Sequence, residues 1–158
     1  MPERETVELL TESGLRQAVV LCEAYDSLRE GLAIVLGDHY RVTVVSRIAE
    51  LPPVLTTTKP ALLILDVDGQ SKPYAALKRL RRAHRTLKVL LLAGAFTLEE
   101  QMAAVRLSHV GFIKKFFSVE SLLEKVDTLI RGYSRSPIRT RIVRLPIAPA
   151  GSTEEPDL

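Results

Sequence analysis

The chain has 158 residues, of which 46% are hydrophobic and 26% charged, and its formal net charge is +3. That length suits one domain with a core of useful size, and that balance excludes a largely disordered or collagen-like chain. The single cysteine, Cys22, excludes an intramolecular disulfide and a multi-cysteine zinc site, and it points to a reducing cytoplasm.

The elements alternate between strand and helix. Ala18 to Cys22 is a short apolar run of strand type, and Ser27-Leu-Arg-Glu30 is a capping-box pattern that predicts a helix start. Leu28, Leu32, Val35 and Leu36 follow at helical spacing, with Gly37 as the stop. Tyr40 to Val45 is rich in β-branched residues and reads as a second strand. Pro52 and Pro53 suit the first turn of a short second helix ending near Thr57. Ala61 to Leu65 is continuously apolar, as expected for a strand buried on both faces. Ala76, Leu80, Ala83 and Leu87 mark the inner stripe of a third helix, and Val89 to Ala93 is a fourth strand.

Thr97-Leu-Glu-Glu100 is a second capping box, after which Leu98, Met102 and Val105 share one helical face. Val110 to Ile113 is a fifth strand. Ser118 caps a last helix with the stripe Val119, Leu122, Leu123, Val126, Leu129 and Ile130, and Gly132 ends it. Such alternation predicts a parallel sheet with helices on both faces. The domain is expected over 17–132, after a leader at 1–16 and before a basic, proline-containing tail at 133–158 that is disordered at its end. Ile138, Ile142, Val143, Leu145 and Ile147 in that tail are expected to pack on the domain or on a second copy. The longest apolar run, Val89 to Phe96, is too short to cross a bilayer, so no membrane insertion is expected. The N-terminus lacks the pattern of a signal peptide.

Charge is uneven. No acid occurs between Gly69 and Leu98, while Lys78, Arg79, Arg81, Arg82 and Arg85 crowd the third helix, outside its apolar stripe. A basic field of this kind attracts phosphates or acidic protein surfaces. A solvated helix face is the plainer account and the preferred one.

Ligands of an open parallel sheet gather outside the carboxyl ends of the strands. Glu23 and Ala24 follow the first strand, Asp66 and Asp68 the third, Ala93 and Gly94 the fourth, and Lys114 and Lys115 the fifth. Carboxylates suit Mg²⁺, and an aspartate can serve as a nucleophile towards phosphorus with a lysine balancing the phosphoryl charge. His39, His84 and His109 show no ligand spacing, and Cys22 reads as a small buried hydrophobe.

Four stretches, at 20–32, 60–67, 89–94 and 111–117, together resemble the receiver domain of bacterial two-component response regulators. The resemblance implies a flavodoxin-like (βα)5 sandwich of the α/β class, with strand order 2-1-3-4-5. It places Asp66 at the phosphoacceptor position, Glu23, Asp66 and Asp68 at the acidic metal position, and Lys115 at the position of the family's lysine. Ala93 and Phe112 fall at its switch positions. It also implies losses. Ala24 stands where the family carries its direct magnesium ligand, Ala93 replaces a hydroxyl residue, and Phe116 replaces the proline after the lysine. The pattern is therefore that of a degenerate receiver, or pseudo-receiver.

The expected function is that of a stand-alone signalling module, not an enzyme, that binds proteins independently of phosphorylation and needs no cofactor. Its partner would be a histidine kinase, a downstream signalling protein or a second copy, and the resemblance implies docking or dimer formation on the face of helix four, strand five and helix five. The alternative is a working phospho-regulator that accepts a phosphoryl group on Asp66 from a histidine kinase, with Mg²⁺. Asp66 with Lys115 as a purely structural ion pair also stays open. Nucleic-acid binding through the third helix and Arg135, Arg139, Arg141 and Arg144 ranks last, for want of a recognised motif.

Overall fold

The apolar runs become five strands. In the computed structural model, which describes residues 16–132, they are β1 (Ala18–Cys22), β2 (Arg41–Val45), β3 (Leu62–Asp66), β4 (Val89–Ala93) and β5 (Val110–Lys114). Between and after them run α1 (Asp26–Gly37), α2 (Leu51–Thr58), α3 (Pro73–Ala83), α4 (Leu98–Val105) and α5 (Val119–Arg131), with a 3-10 turn at Ile48–Glu50 leading into α2. All neighbouring strands pair in parallel, in the order β2-β1-β3-β4-β5. This is the expected flavodoxin-like α/β sandwich. The expectations for the leader and the tail fall outside the described residues, Arg16 excepted.

β1, β3 and β4 are buried at every position, because helices cover both faces of the sheet. Alternate strand residues point to opposite faces. Val19, Leu21, Ile64 and Leu92 therefore pack with Leu36 of α1 and Val126 of α5. Val20, Leu63, Leu65 and Leu91 pack on the other side with Leu51 of α2, Leu77 of α3 and Ala104 of α4. Gly111 of β5 lets α5 approach: a methyl group built there would stand 2.9 Å from Leu129 Cδ1. Gly111→Ala is expected to lower stability by about 1 kcal/mol, the low end for overpacking, because the tip of a leucine can partly give way. Thermal unfolding would check this, and an unchanged midpoint would show that α5 adjusts freely.

The local signals hold in part. Thr97 caps α4 in a complete capping box with Glu100, and Ser118 caps α5 through the Ser121 amide. Pro52 and Pro53 do lie in the first turn of α2. Ser27 does not cap α1. The helix starts two residues earlier, at Asp26, with Tyr25 at the N-cap and no side-chain cap bond. β3 and β5 each run one residue past their apolar core, since Asp66 still pairs with Leu92 and Lys114 with Ala93.

Three corrections concern helix faces. The inner stripe of α3 is Ala76, Leu77, Leu80 and Arg81, while Ala83 is exposed and Leu87 lies beyond the helix. Arg81 is therefore not part of the solvated basic face. It is 8% exposed, because its guanidinium turns inward to the turn before β5. The shared face of α4 looks outward: Leu98, Met102 and Val105 are 72%, 52% and 65% exposed. This two-turn helix meets the sheet through the small side chain of Ala104 instead.

Candidate functional site

The strand register brings four loops to one edge. Cys22 lies beside Leu65, Asp66 beside Leu92, and Ala93 beside Lys114, so the residues that follow each strand converge. The Lys115 amide donates to the Ala93 carbonyl at 2.8 Å, which fixes the lysine as it leaves β5. Its ammonium then reaches across β4 to the third strand, meeting Asp66 Oδ2 at 2.5 Å and Asp68 Oδ2 at 3.0 Å. The Lys115 Nζ also sits 5.3 Å from the centre of the Tyr25 ring, a cation–π contact.

The aspartates hold each other in place. Asp66, which has no exposed surface, accepts the Asp68 amide on Oδ1 at 2.9 Å. Asp68 Oδ2 accepts the Gly94 amide at 2.9 Å. The turn between them and α3 needs Gly69, whose φ is +79°, and the Gln70 amide closes it on the Val67 carbonyl at 3.3 Å. Glu23, also without exposed surface, accepts the Tyr25 amide on Oε1 at 3.1 Å, while its buried Oε2 receives no hydrogen bond.

Burial and the hydrogen bond to Asp66 push the Glu23 carboxyl up to about 8, so it carries its proton at neutral pH and can donate to Asp66. Burial alone would pull Lys115 down, but its pairing with Asp66 and Asp68 outweighs that and raises it. The site is thus one ammonium, two aspartates and a neutral glutamic acid. Burial, with the nearby acids adding to it, pushes the Cys22 thiol up to about 12, which makes it an inert core residue.

The two residues expected at switch positions are both placed. Ala93 is buried under the Lys115 amide and offers no hydroxyl. Phe112 is half-buried and packs edge-on against Phe96, ring centres 5.0 Å apart. Phe117 packs into the α1–α5 side of the core, whereas Phe116 is fully exposed with φ +80°. Of the basic set, Lys78, Arg79, Arg82 and Arg85 are exposed, and Arg81 ties the end of α3 to the turn at Ser108. The sequence does carry a signal for Arg81: it stands four residues after Leu77, on the same helical stripe.

A receiver fold implies Mg²⁺ at this edge, and the residues here do not fit it. Magnesium keeps several of its waters and needs exposed oxygen ligands. Glu23 and Asp66 have no exposed surface, Asp68 Oδ2 is taken by Lys115 and Gly94, and position 24 offers only a methyl group. Among the described residues, no three His, Cys, Asp or Glu side chains are placed to hold a metal ion.

The sequence matches no protein-family model and no curated protein. The fold, by contrast, matches solved structures closely. A response regulator from Thermotoga maritima superposes with a TM-score of 0.67 at 22% identity, over 75% of this chain and all of that one (100%). The chemotaxis protein CheY4 of Vibrio cholerae gives 0.66 at 19% identity, over 71% of this chain and 97% of that one. NtrX from Brucella abortus gives 0.66 at 19% identity over 74% of this chain, which spans only 27% of NtrX. The chain has the fold of a response-regulator receiver domain. At these identities the likeness carries the fold alone.

Proposed function

We propose that this chain is a signalling module of the receiver type that works by binding other proteins and does not run a phosphorylation cycle. One observation carries the reading. Asp66, at the phosphoacceptor position, is fully buried and held between the Asp68 amide and the Lys115 ammonium. Phosphoryl transfer needs positioned counter-charge around the reacting oxygens, much of it supplied by a metal. Here Lys115 is committed to two carboxylates, Ala24 supplies no ligand, and Ala93 supplies no hydroxyl. The chain is not an enzyme on this reading, and its resting arrangement is its working one.

The docking face is the side bearing α4, β5 and α5. Leu98, Met102 and Val105 recur there at helical spacing and stand in water, a cost that a partner surface would remove. The partner is a histidine kinase, a downstream signalling protein or a second copy of the chain. No helix among the described residues is long and apolar enough to cross a membrane, in keeping with the cytoplasmic setting we propose.

Incubation with acetyl phosphate and millimolar Mg²⁺ is expected to leave Asp66 unmodified by intact-mass measurement, and Asp66→Asn is expected to bind partners as the parent does. Stoichiometric aspartyl-phosphate on Asp66, with a matching change in partner affinity, would overturn the proposal in favour of a phospho-regulator.

A further inference from the structure

Away from the strand edge, a groove runs between α3 and the C-terminal end of α4. One half, of about 380 Å³, is lined by Lys78, Arg81, Arg82, Arg85, Arg106 and Leu107. The other, of about 280 Å³, shares Lys78 and Leu107 and is otherwise walled by Tyr74, Ala75, Ala103 and Ala104. The first half gathers five cationic side chains and no carboxylate. None of Lys78, Arg82, Arg85 or Arg106 forms an ion pair among the described residues. Like charges brought together this way repel, and a bound anion would convert that cost into attraction.

A second observation is independent of the charge count. Arg81 is more than nine-tenths buried, at 8% exposure, and lines the same cavity. Its two terminal nitrogens donate to the Ser108 and Arg85 carbonyls at 2.6 and 3.0 Å, but its Nε has no partner. Its charge is met by backbone dipoles and by no counter-ion, an expensive arrangement for a buried cation. At the apolar half, the Tyr74 hydroxyl is likewise buried with no partner. Each half of the groove is therefore walled by a residue whose buried polar atom lacks a partner.

We propose that this groove binds a di- or triphosphate group. The concave 380 Å³ half suits a compact, multiply charged oxyanion better than the flat face of a duplex or a membrane. Arginine forks match phosphate oxygens in pairs, and Arg82, Arg85 and Arg106 supply them from two walls. Arg81 holds the α3 and α4–β5 walls together as a positioning residue. The same phosphate chemistry occurs free or as the tail of a nucleotide, and the apolar half beside Tyr74 would receive a nucleoside. The site does not depend on the state of Asp66.

Titration calorimetry of the full chain with inorganic tripolyphosphate, ATP and adenosine tests the proposal. Saturable one-to-one binding of tripolyphosphate or ATP is expected, with none for adenosine. ATP binding more tightly than tripolyphosphate identifies a nucleotide site, and equal affinities identify a free-phosphate site. Arg82→Gln with Arg106→Gln, both exposed and away from the core, should weaken binding by roughly 10-fold or more, given the strength of charge-assisted pairs. Raised salt should weaken it further. Absence of saturable binding, or affinity unchanged in the double variant, would overturn the proposal. So would binding of an acidic peptide or a duplex through these residues with none for tripolyphosphate.

Discussion

Lys115→Met is expected to destabilise the fold by about 3–5 kcal/mol, the usual cost of removing one partner of a buried ion pair. The substitution keeps the length of the stem and deletes only the charge. Asp66, with no exposed surface, would lose its one cation and keep only the Asp68 amide and the neutral Glu23 carboxyl against its charge. Asp68 is 38% exposed and can turn to water, so it adds little to the loss. Urea denaturation should show a lower midpoint at unchanged slope. Lys115→Met combined with Asp66→Leu should recover more than half of the loss, because the stranded charge has gone as well. A loss below about 1 kcal/mol would place the pair among screened surface bridges and remove the argument that Asp66 is locked.

The second large effect is on pH. Glu23 has an ordinary carboxyl value of 4.5 when unfolded and is held at about 8 in the folded chain. Between those limits the folded chain binds a proton that the unfolded chain has released. The Glu23 contribution is therefore fully present below 4.5 and is lost as pH rises through 8, with a slope approaching 1.4 kcal/mol per pH unit. Glu23→Gln should flatten this dependence and make the chain more stable than the parent at pH 8 to 9. A glutamine amide can donate to Asp66 at any pH and can still accept the Tyr25 amide. Parallel pH profiles for parent and variant would mean that Glu23 is ionised throughout.

The sheet was legible because its signal is local. Val89 to Ala93 is apolar at every position, and only burial on both faces explains such a run. The convergence of Glu23, Asp66 and Lys115 followed from strand ends in a parallel sheet. What escaped was direction. The spacing of Leu98, Met102 and Val105 defines a face of α4 but not which way it points, and the small Ala104 decided that. Arg81 was placed with its basic neighbours by composition, whereas its spacing from Leu77 turned it inward. The grip of Asp68 on Gly94 and Lys115 joins residues 26 and 47 positions apart, and no local pattern encodes it.

The reach of Lys115 also bears on how this edge of the sheet moves. Its main chain holds the β4 loop through Ala93, and its ammonium holds the β3 loop through both aspartates; Asp68 in turn holds Gly94. Loops that are usually free to fluctuate one at a time are here joined at a single node. Lifting any of them strips the others of a buried partner, so the edge opens as one cooperative unit or not at all. A partner that needs one of these loops displaced must therefore supply the free energy to release all three.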